Sequence, residues 1–185
     1  SKAMKILEKV KEQEAEGYHY ENANASLNLL YARALGANLD YFNLLNWRAF
    51  VVGEARKVSA ESTVKLKMGS HSLIAAAEGN GPVNAFDIAL RRALKSQHPE
   101  ISNVKLSGYR VREINTEKGT AAAVQVFTEF KSNGRRWSTI GVSPNILKAS
   151  EEAIVDGYTY YLYKIRQAGD LPKASSSAYG LLSAN

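Results

Sequence analysis

No cysteine occurs in the 185 residues, so neither a disulfide framework nor a thiolate metal site is available. No apolar run approaches the ~20 residues of a membrane span, and no signal-peptide pattern opens the chain. A cytoplasmic location without membrane contact is the expectation. The three histidines, His19, His71 and His98, share neither metal-ligand spacing nor a carboxylate at fixed offset, and read as surface residues. No serine sits in a nucleophile elbow. The glycines of Gly79-Asn80-Gly81-Pro82 lack the Lys-Ser/Thr that completes a phosphate loop, so a nucleotide reading is weak. Catalytic residues, metal and cofactor are all expected to be absent. The formal net charge of +6 raises nucleic acid as a partner, but the cations are dispersed. Lys65 and Lys67 alternate along a strand, and Arg91, Arg92 and Lys95 cover the outer face of a helix, without an aromatic-studded basic strand. No nucleic-acid partner is expected.

What the chain does contain is 45% hydrophobic and 23% charged residues, ordinary for a globular domain with a core. It is organised around Ala75-Ala76-Ala77-Glu78-Gly79-Asn80-Gly81-Pro82-Val83-Asn84-Ala85, a small-residue strand running through a glycine-rich turn into a helix. Gly81 is placed at the N-cap and Pro82 at the first helical position, where its missing N–H costs nothing. Phe86, Ala89, Leu90, Ala93 and Leu94 form the stripe of a core-facing helix. Such a turn aims free N–H groups and the positive end of a helix dipole at one spot, which suits a carboxylate-sized anion. Gly141-Val142-Ser143-Pro144-Asn145 repeats the glycine (79 to 141) and the proline (82 to 144) at an offset of 62, with Ser143 in the N-cap place. Ile146, Ala149, Ala153, Ile154, Gly157 and Tyr161 carry the stripe of its helix. A hairpin signal precedes each copy, Gly69-Ser70 and Asn133-Gly134. The chain is a duplicated unit.

In chain order, residues 2–16 read as a surface helix with a thin stripe of Ile6, Leu7 and Val10, stopped by Gly17. A second helix from Asn22 or Asn24 sets Leu27, Leu30, Tyr31 and Ala34 on one face and closes at Gly36. These two helices read either as an appendage packing on another part of a longer protein or as a hairpin docked on the chain's own sheet. Leu44–Val52 has apolar residues on both parities, which predicts a strand covered on both faces. Val64, Leu66 and Met68 point inward on the next strand. His71 to Ala77 returns from that hairpin to the glycine turn. The parity of Val104 and Leu106 switches at Ser107-Gly108, which predicts a bulge aiming Leu106 and Tyr109 to one side. Residues 120–130 and 135–142 form the next hairpin. Ala121-Ala122-Ala123 leaves room beside the sheet, for a pocket or for a close helix. After Ala168-Gly169 the pattern fades into a loose tail.

The run Ala77–Ala85, with Gly108-Tyr109-Arg110-Val111-Arg112, Gly119-Thr120-Ala121-Ala122 and Gly141-Val142-Ser143 in order and spacing, resembles the regulatory domain of the 2-isopropylmalate synthase and citramalate synthase family. Glu16-Gly17-Tyr18-His19-Tyr20-Glu21 with Ala25-Ser26 resembles the linker subdomain of the same family. The resemblance covers roughly residues 5–165. It implies an α+β fold: a two-helix linker subdomain (1–40), an internally duplicated βββα domain (41–169; repeats about 41–99 and 100–169) with two three-stranded antiparallel sheets, and a tail (170–185). It further implies a homodimer that binds a branched-chain amino acid as feedback inhibitor, while acetyl-CoA-dependent condensation and its metal belong to a catalytic barrel absent here. By position, backbone at Gly79, Asn80 and Gly81, with the Ser143-Pro144 helix start, would meet the effector's charged ends, and Pro82 belongs to the same effector-binding set. Val83, Leu106, Tyr109, Ala123, Pro144 and Ile146 would shape the apolar pocket. Glu113 stands where the family often has an aliphatic residue, so either Ile114 takes that place or the wall differs. The linker and the Gly-Tyr-Arg-Val-Arg strand look more like the citramalate type, with isoleucine as effector. The leucine-regulated isopropylmalate type and a dimerisation module without ligand are the alternatives.

Overall fold

The computed structural model describes residues 2–114 and 122–168. Helix α1 (Lys2–Glu16), a 3-10 turn (Tyr20–Asn22) and α2 (Asn24–Ala34) come first. Strands β1 (Asn43–Glu54), β2 (Lys57–Met68) and β3 (His71–Gly79) form an antiparallel sheet in that order, followed by α3 (Pro82–Leu94). A 3-10 turn (Pro99–Asn103) leads to β4 (Lys105–Ile114), β5 (Ala123–Ser132) and β6 (Arg135–Ser143), again ordered along the sheet, and then to α4 (Ile146–Ala168). This is the expected α+β, duplicated βββα architecture. Gly119, Thr120, Ala121 and the 170–185 tail lie outside the described residues.

Local chemistry accounts for the punctuation. Gly17 (φ 106) ends α1, with the Tyr18 N–H returning to the Gln13 carbonyl at 3.0 Å. Asn133 (φ 48) and Gly134 (φ 78) both take the left-handed conformation that a two-residue hairpin requires. The β4–β5 register shifts between Leu106 and Gly108, so Ser107 is the bulge, and Leu106 (opposite Phe130) and Tyr109 (opposite Thr128) share a face as expected. An unforeseen bulge at Leu45 does the same in β1.

The duplication is real, but its register needs correction. The two bulges, Leu45 and Ser107, are 62 residues apart. The hairpins (Met68 opposite His71, Ser132 opposite Arg135) and the helix starts (Pro82, Ile146) are 64 apart. Two extra residues therefore sit in the β4–β5 connection. Gly141 and Pro144 are not the counterparts of Gly79 and Pro82, and the counterpart of Gly81 is Asn145.

One core joins the repeats. Val64, Leu66, Met68, Phe86, Leu90 and Leu94 from the first meet Phe130, Trp137, Ile154, Tyr158 and Leu162 from the second. The outer face of the second sheet is covered from within the chain: Phe127 and Ile140 pack with Tyr20, Ala23 and Leu30, and Gln125 donates to the Gly17 carbonyl at 2.6 Å. Helix α2 thus docks on the chain's own second sheet, against β6 and α4. Its buried face is Ala25, Ser26, Leu29, Leu30 and Ala32, whereas Tyr31 and Ala34 are exposed and Leu27 is half-buried. An apolar count misses this face, because it rests on an edge strand whose N–H groups need Asn24 and Ser26. His98 is also corrected: it is buried, with its ring 3.6 Å from the buried Glu100.

Candidate functional site

At the start of α3, Gly81 is the N-cap and its carbonyl accepts the Ala85 N–H at 2.9 Å. Its φ of −166° is extended backbone open to any residue, and nothing lies within 4 Å of where a Cβ would stand. Gly79 differs, since a Cβ there would come within 2.5 Å of the Ala85 nitrogen. The turn therefore demands glycine at 79 for close packing, not at 81. Pro82 brings no N–H and no side chain caps this helix, so the first-turn N–H groups of Val83 and Asn84 project from its positive end without a side-chain acceptor. The Asn80 N–H, assigned above to a ligand, is instead donated to the Asn84 side chain at 3.0 Å.

The start of α4 is built differently. Ser143 is not the N-cap and Pro144 is not the first helical residue. The cap is Asn145, whose Oδ1 accepts the Leu147 N–H at 2.9 Å and the Lys148 N–H at 3.4 Å. Ser143 Oγ accepts the Asn145 N–H at 3.0 Å. This end satisfies itself, because the two-residue shift puts asparagine where the first copy has Gly81.

Of the expected wall residues, Tyr109 and Ile146 are brought together. Ser150 Oγ donates to the Ile146 carbonyl at 2.6 Å, so the Tyr109 hydroxyl, 2.8 Å away, donates to Ser150. Ser150 was not foreseen; a lone serine on a helix gives no signal until its strand partner is known. The first copy carries Trp47 and Phe86 in the corresponding places, with ring centroids 4.5 Å apart, so there the seam is filled by rings. Leu106 packs into the shared core. Ala123 is corrected: it pairs with Ile114 and shares the parity of Gln125 and Phe127, away from α4, while Val124 packs on Ala149 and Ala153. The same parity places Glu113. It lies on the Tyr109 side, and Ile114 faces Gly17. Ser143 and Pro144 precede Ile146 in the chain, whereas no hydrogen bond or ring contact among the described residues links this group to the loop of Gly79, Asn80, Gly81, Pro82 and Val83. A cleft of about 630 Å³ on the outer side of the second sheet includes Tyr109 alone of the expected set, beside Arg110, Glu129 and Arg136.

Two polar networks escaped the sequence. Between the helices, Tyr158 Oη donates to Asp87 at 2.5 Å and Arg91 pairs with the same carboxylate at 2.5 Å, removing Arg91 from the expected outer face. Burial, then the Asp87 charge, pushes the Tyr158 hydroxyl up. On the other side of α4, Tyr18 donates to Glu152 at 2.5 Å and Arg33 to Asp156 at 2.9 Å. Burial raises both carboxyls against the pull of these donors. Among the described residues no helix is long and apolar enough to cross a membrane.

Residues 21–162 match the LeuA allosteric (dimerisation) domain. The chain is 43% identical over 165 residues to the (R)-citramalate synthase of Geobacter sulfurreducens, covering 87% of this chain and 31% of that protein. For the (R)-citramalate synthase of Aquifex aeolicus the figures are 40% over 169 residues, 90% and 32%. For that of Streptomyces coelicolor they are 41% over 162 residues, 86% and 30%. The chain thus spans about a third of the length of these relatives. With two βββα units joined through one core and this match across both, the chain belongs to the LeuA allosteric domain family.

Proposed function

We propose that this chain is the regulatory domain of a citramalate synthase-like enzyme of branched-chain amino acid biosynthesis, where it binds isoleucine as a feedback inhibitor and forms a homodimer. The carrying observation is the family match together with 40–43% identity to (R)-citramalate synthases. The uncapped start of α3 beside the open space at Gly81 supports it, since a carboxylate there would meet free N–H groups and the helix dipole. Tyr109, Ser150 and Ile146 supply a half-polar wall suited to a small zwitterion with an apolar branch. The condensation chemistry and its metal are assigned to a catalytic part beyond this domain, and the domain itself takes no cofactor.

A branched amino acid has about nine heavy atoms, and micromolar affinity needs about 8 kcal/mol, or roughly 0.9 kcal/mol per atom. Nearly every atom must then be buried or paired, so backbone donors have to hold the carboxylate. The test is calorimetry with isoleucine, leucine and valine on wild type and Gly81→Asp. Tightest binding by isoleucine, lost in Gly81→Asp with the fold kept, is expected. Preference for leucine would move the chain to the isopropylmalate type, and no binding at all would leave a dimerisation module.

A further inference from the structure

The N-terminal segment packs on β6 and reaches Phe127 of β5, but leaves a groove between the Tyr20–Asn22 turn and β4. Two neighbouring clefts, of about 630 and 440 Å³, make up this groove and share Glu21, Asn22, Arg110 and Phe127. Volumes of this order are those of small-molecule sites. Arg110, opposite Phe127 in the sheet, lays its guanidinium over that ring, 4.9 Å from the centroid. Phe127 is itself fixed, 9% exposed and packed with Tyr20, Ala23, Leu30 and Ile140. Stacking occupies the face of the guanidinium and leaves the N–H donors in its plane unspent. Arg112 stands two residues, roughly 6.5 Å, further along the same face. Among the described residues neither arginine has a hydrogen bond or an ion pair.

The other polar groups of the groove differ in how far they are already satisfied. Glu129 is neutralised by Arg136 at 2.7 Å and accepts the Ser107 hydroxyl at 3.2 Å. Asn24 Oδ1 accepts the Ser138 N–H at 3.0 Å, so its Nδ2 is the amide donor left over. Glu21 is exposed on the rim across from β4, where water and salt screen its charge. This arrangement is not part of the duplicated plan. The first copy has Arg48 in the place of Arg110, but opposite Thr63 rather than a ring, and Phe50 in the place of Arg112. We propose that the groove is a ligand site separate from the α3 start, taking a small oligoanion, a molecule with two or more carboxylate or phosphate groups, on Arg110 and Arg112. Two guanidinium forks at that spacing match a pair of anionic groups, and a fork already held by a ring loses little freedom on binding. The site lies on the face of the sheet turned away from α4, so it does not depend on the effector reading.

The test is calorimetry on the whole chain at about 0.15 M salt with two probes, pyrophosphate and citrate. Wild type is compared with Arg110→Gln, Arg110→Lys and Arg112→Gln, and circular dichroism checks the fold of each. Expected is binding of at least one probe below about 1 mM by wild type, weakened about tenfold or more in Arg110→Gln and in Arg112→Gln. Tighter binding of pyrophosphate assigns the site to phosphate compounds, and tighter binding of citrate to polycarboxylates. Arg110→Lys keeps the charge and loses the fork, so its affinity should fall about fivefold or more. Unchanged affinity in that variant would mean general attraction to a basic surface and would overturn the proposal. So would a wild type that binds neither probe below the same limit. Should Arg110→Gln fail to fold, Arg112→Gln carries the comparison. Isoleucine titrated into the glutamine variants should give the wild-type result; a change there would put these arginines in the effector site and overturn the separate one.

Discussion

The β1–β2 hairpin should be the dimerisation arm. It runs out past Gly79, the end of β3, with Phe50 61%, Val51 54%, Val52 54% and Val58 55% exposed, on both faces of the ribbon. In the second copy, Ile114 stands 62 residues after Val52 and packs at Gly17, so the matching arm is braced by the chain itself. Burying a large apolar side chain is worth about 1.5–3 kcal/mol. In a two-fold dimer each substitution counts twice. With 61% and 54% of these side chains left to bury, Phe50→Asp with Val51→Asp, one residue on each face, removes about 3–7 kcal/mol from association even before the cost of an unpaired charge, about two to five powers of ten in the dimer constant. Sedimentation velocity at about 10 μM should turn a species of twice 20.3 kDa into one of 20.3 kDa, with unchanged circular dichroism. A dimer that survives the double substitution at that concentration would refute the assignment of the arm. A wild type already monomeric there would refute the dimer.

Three further outcomes follow from the interior. Tyr158→Phe leaves a buried Asp87 oxygen without its donor, a loss of about 1.5–3 kcal/mol for a bond to a charged group and so a Tm lower by roughly 3–12 °C, read by calorimetric scanning. Gly157→Ala should destabilise although alanine favours helices, because a Cβ at 157 runs into the Phe130 ring; a raised Tm would contradict the packing. Burial holds the hydroxyls of Tyr18, Tyr20 and Tyr158 above their ordinary value, whereas unfolded tyrosines ionise near pH 10, so their contribution is whole below about pH 10 and is lost above it. Tm should fall between about pH 10 and 12, and less steeply in Tyr158→Phe.

The elements legible in the sequence were those whose cause is local. The α3 stripe of Phe86, Ala89, Leu90, Ala93 and Leu94 is buried throughout, and Asn133-Gly134 turns the hairpin. The bulge at Ser107 betrayed itself because apolar parity changes there. What failed depended on long-range register. Gly141 looked like the partner of Gly79 because each lets a helix approach its strand: a Cβ at 79 would meet Ala85 and one at 141 would meet Ala149. The two glycines do similar work two residues apart in the frame, and the spacing of glycine and proline alone cannot reveal that shift. The face of Ala123 was not legible for a related reason, since the start of its strand sits beyond a connection whose length the sequence pattern did not fix. Asp87, Tyr158 and Glu152 were missed because a polar residue beside an apolar stripe acquires meaning only when a second element arrives with its partner.

The differences between the copies indicate a division of labour. Both copies descend on the same plan of bulged strand, hairpin and helix, yet each has lost what the other keeps. The second copy has its outer sheet face covered by the N-terminal segment, its β6 edge closed by Asn24 and Ser26, and its helix start capped by Asn145. The first copy leaves its arm exposed, keeps Ile74 64% exposed on its outer face and carries no side-chain cap on α3. A stable monomer would gain by closing the first copy in the same way, with a capping side chain in place of Gly81 and polar residues in place of Phe50 and Val52. The open features are therefore best understood as contact points for something outside this chain. A second subunit fits the apolar arm and a small anion fits the bare helix start, while the closed copy is anchored on the chain's own N-terminal segment.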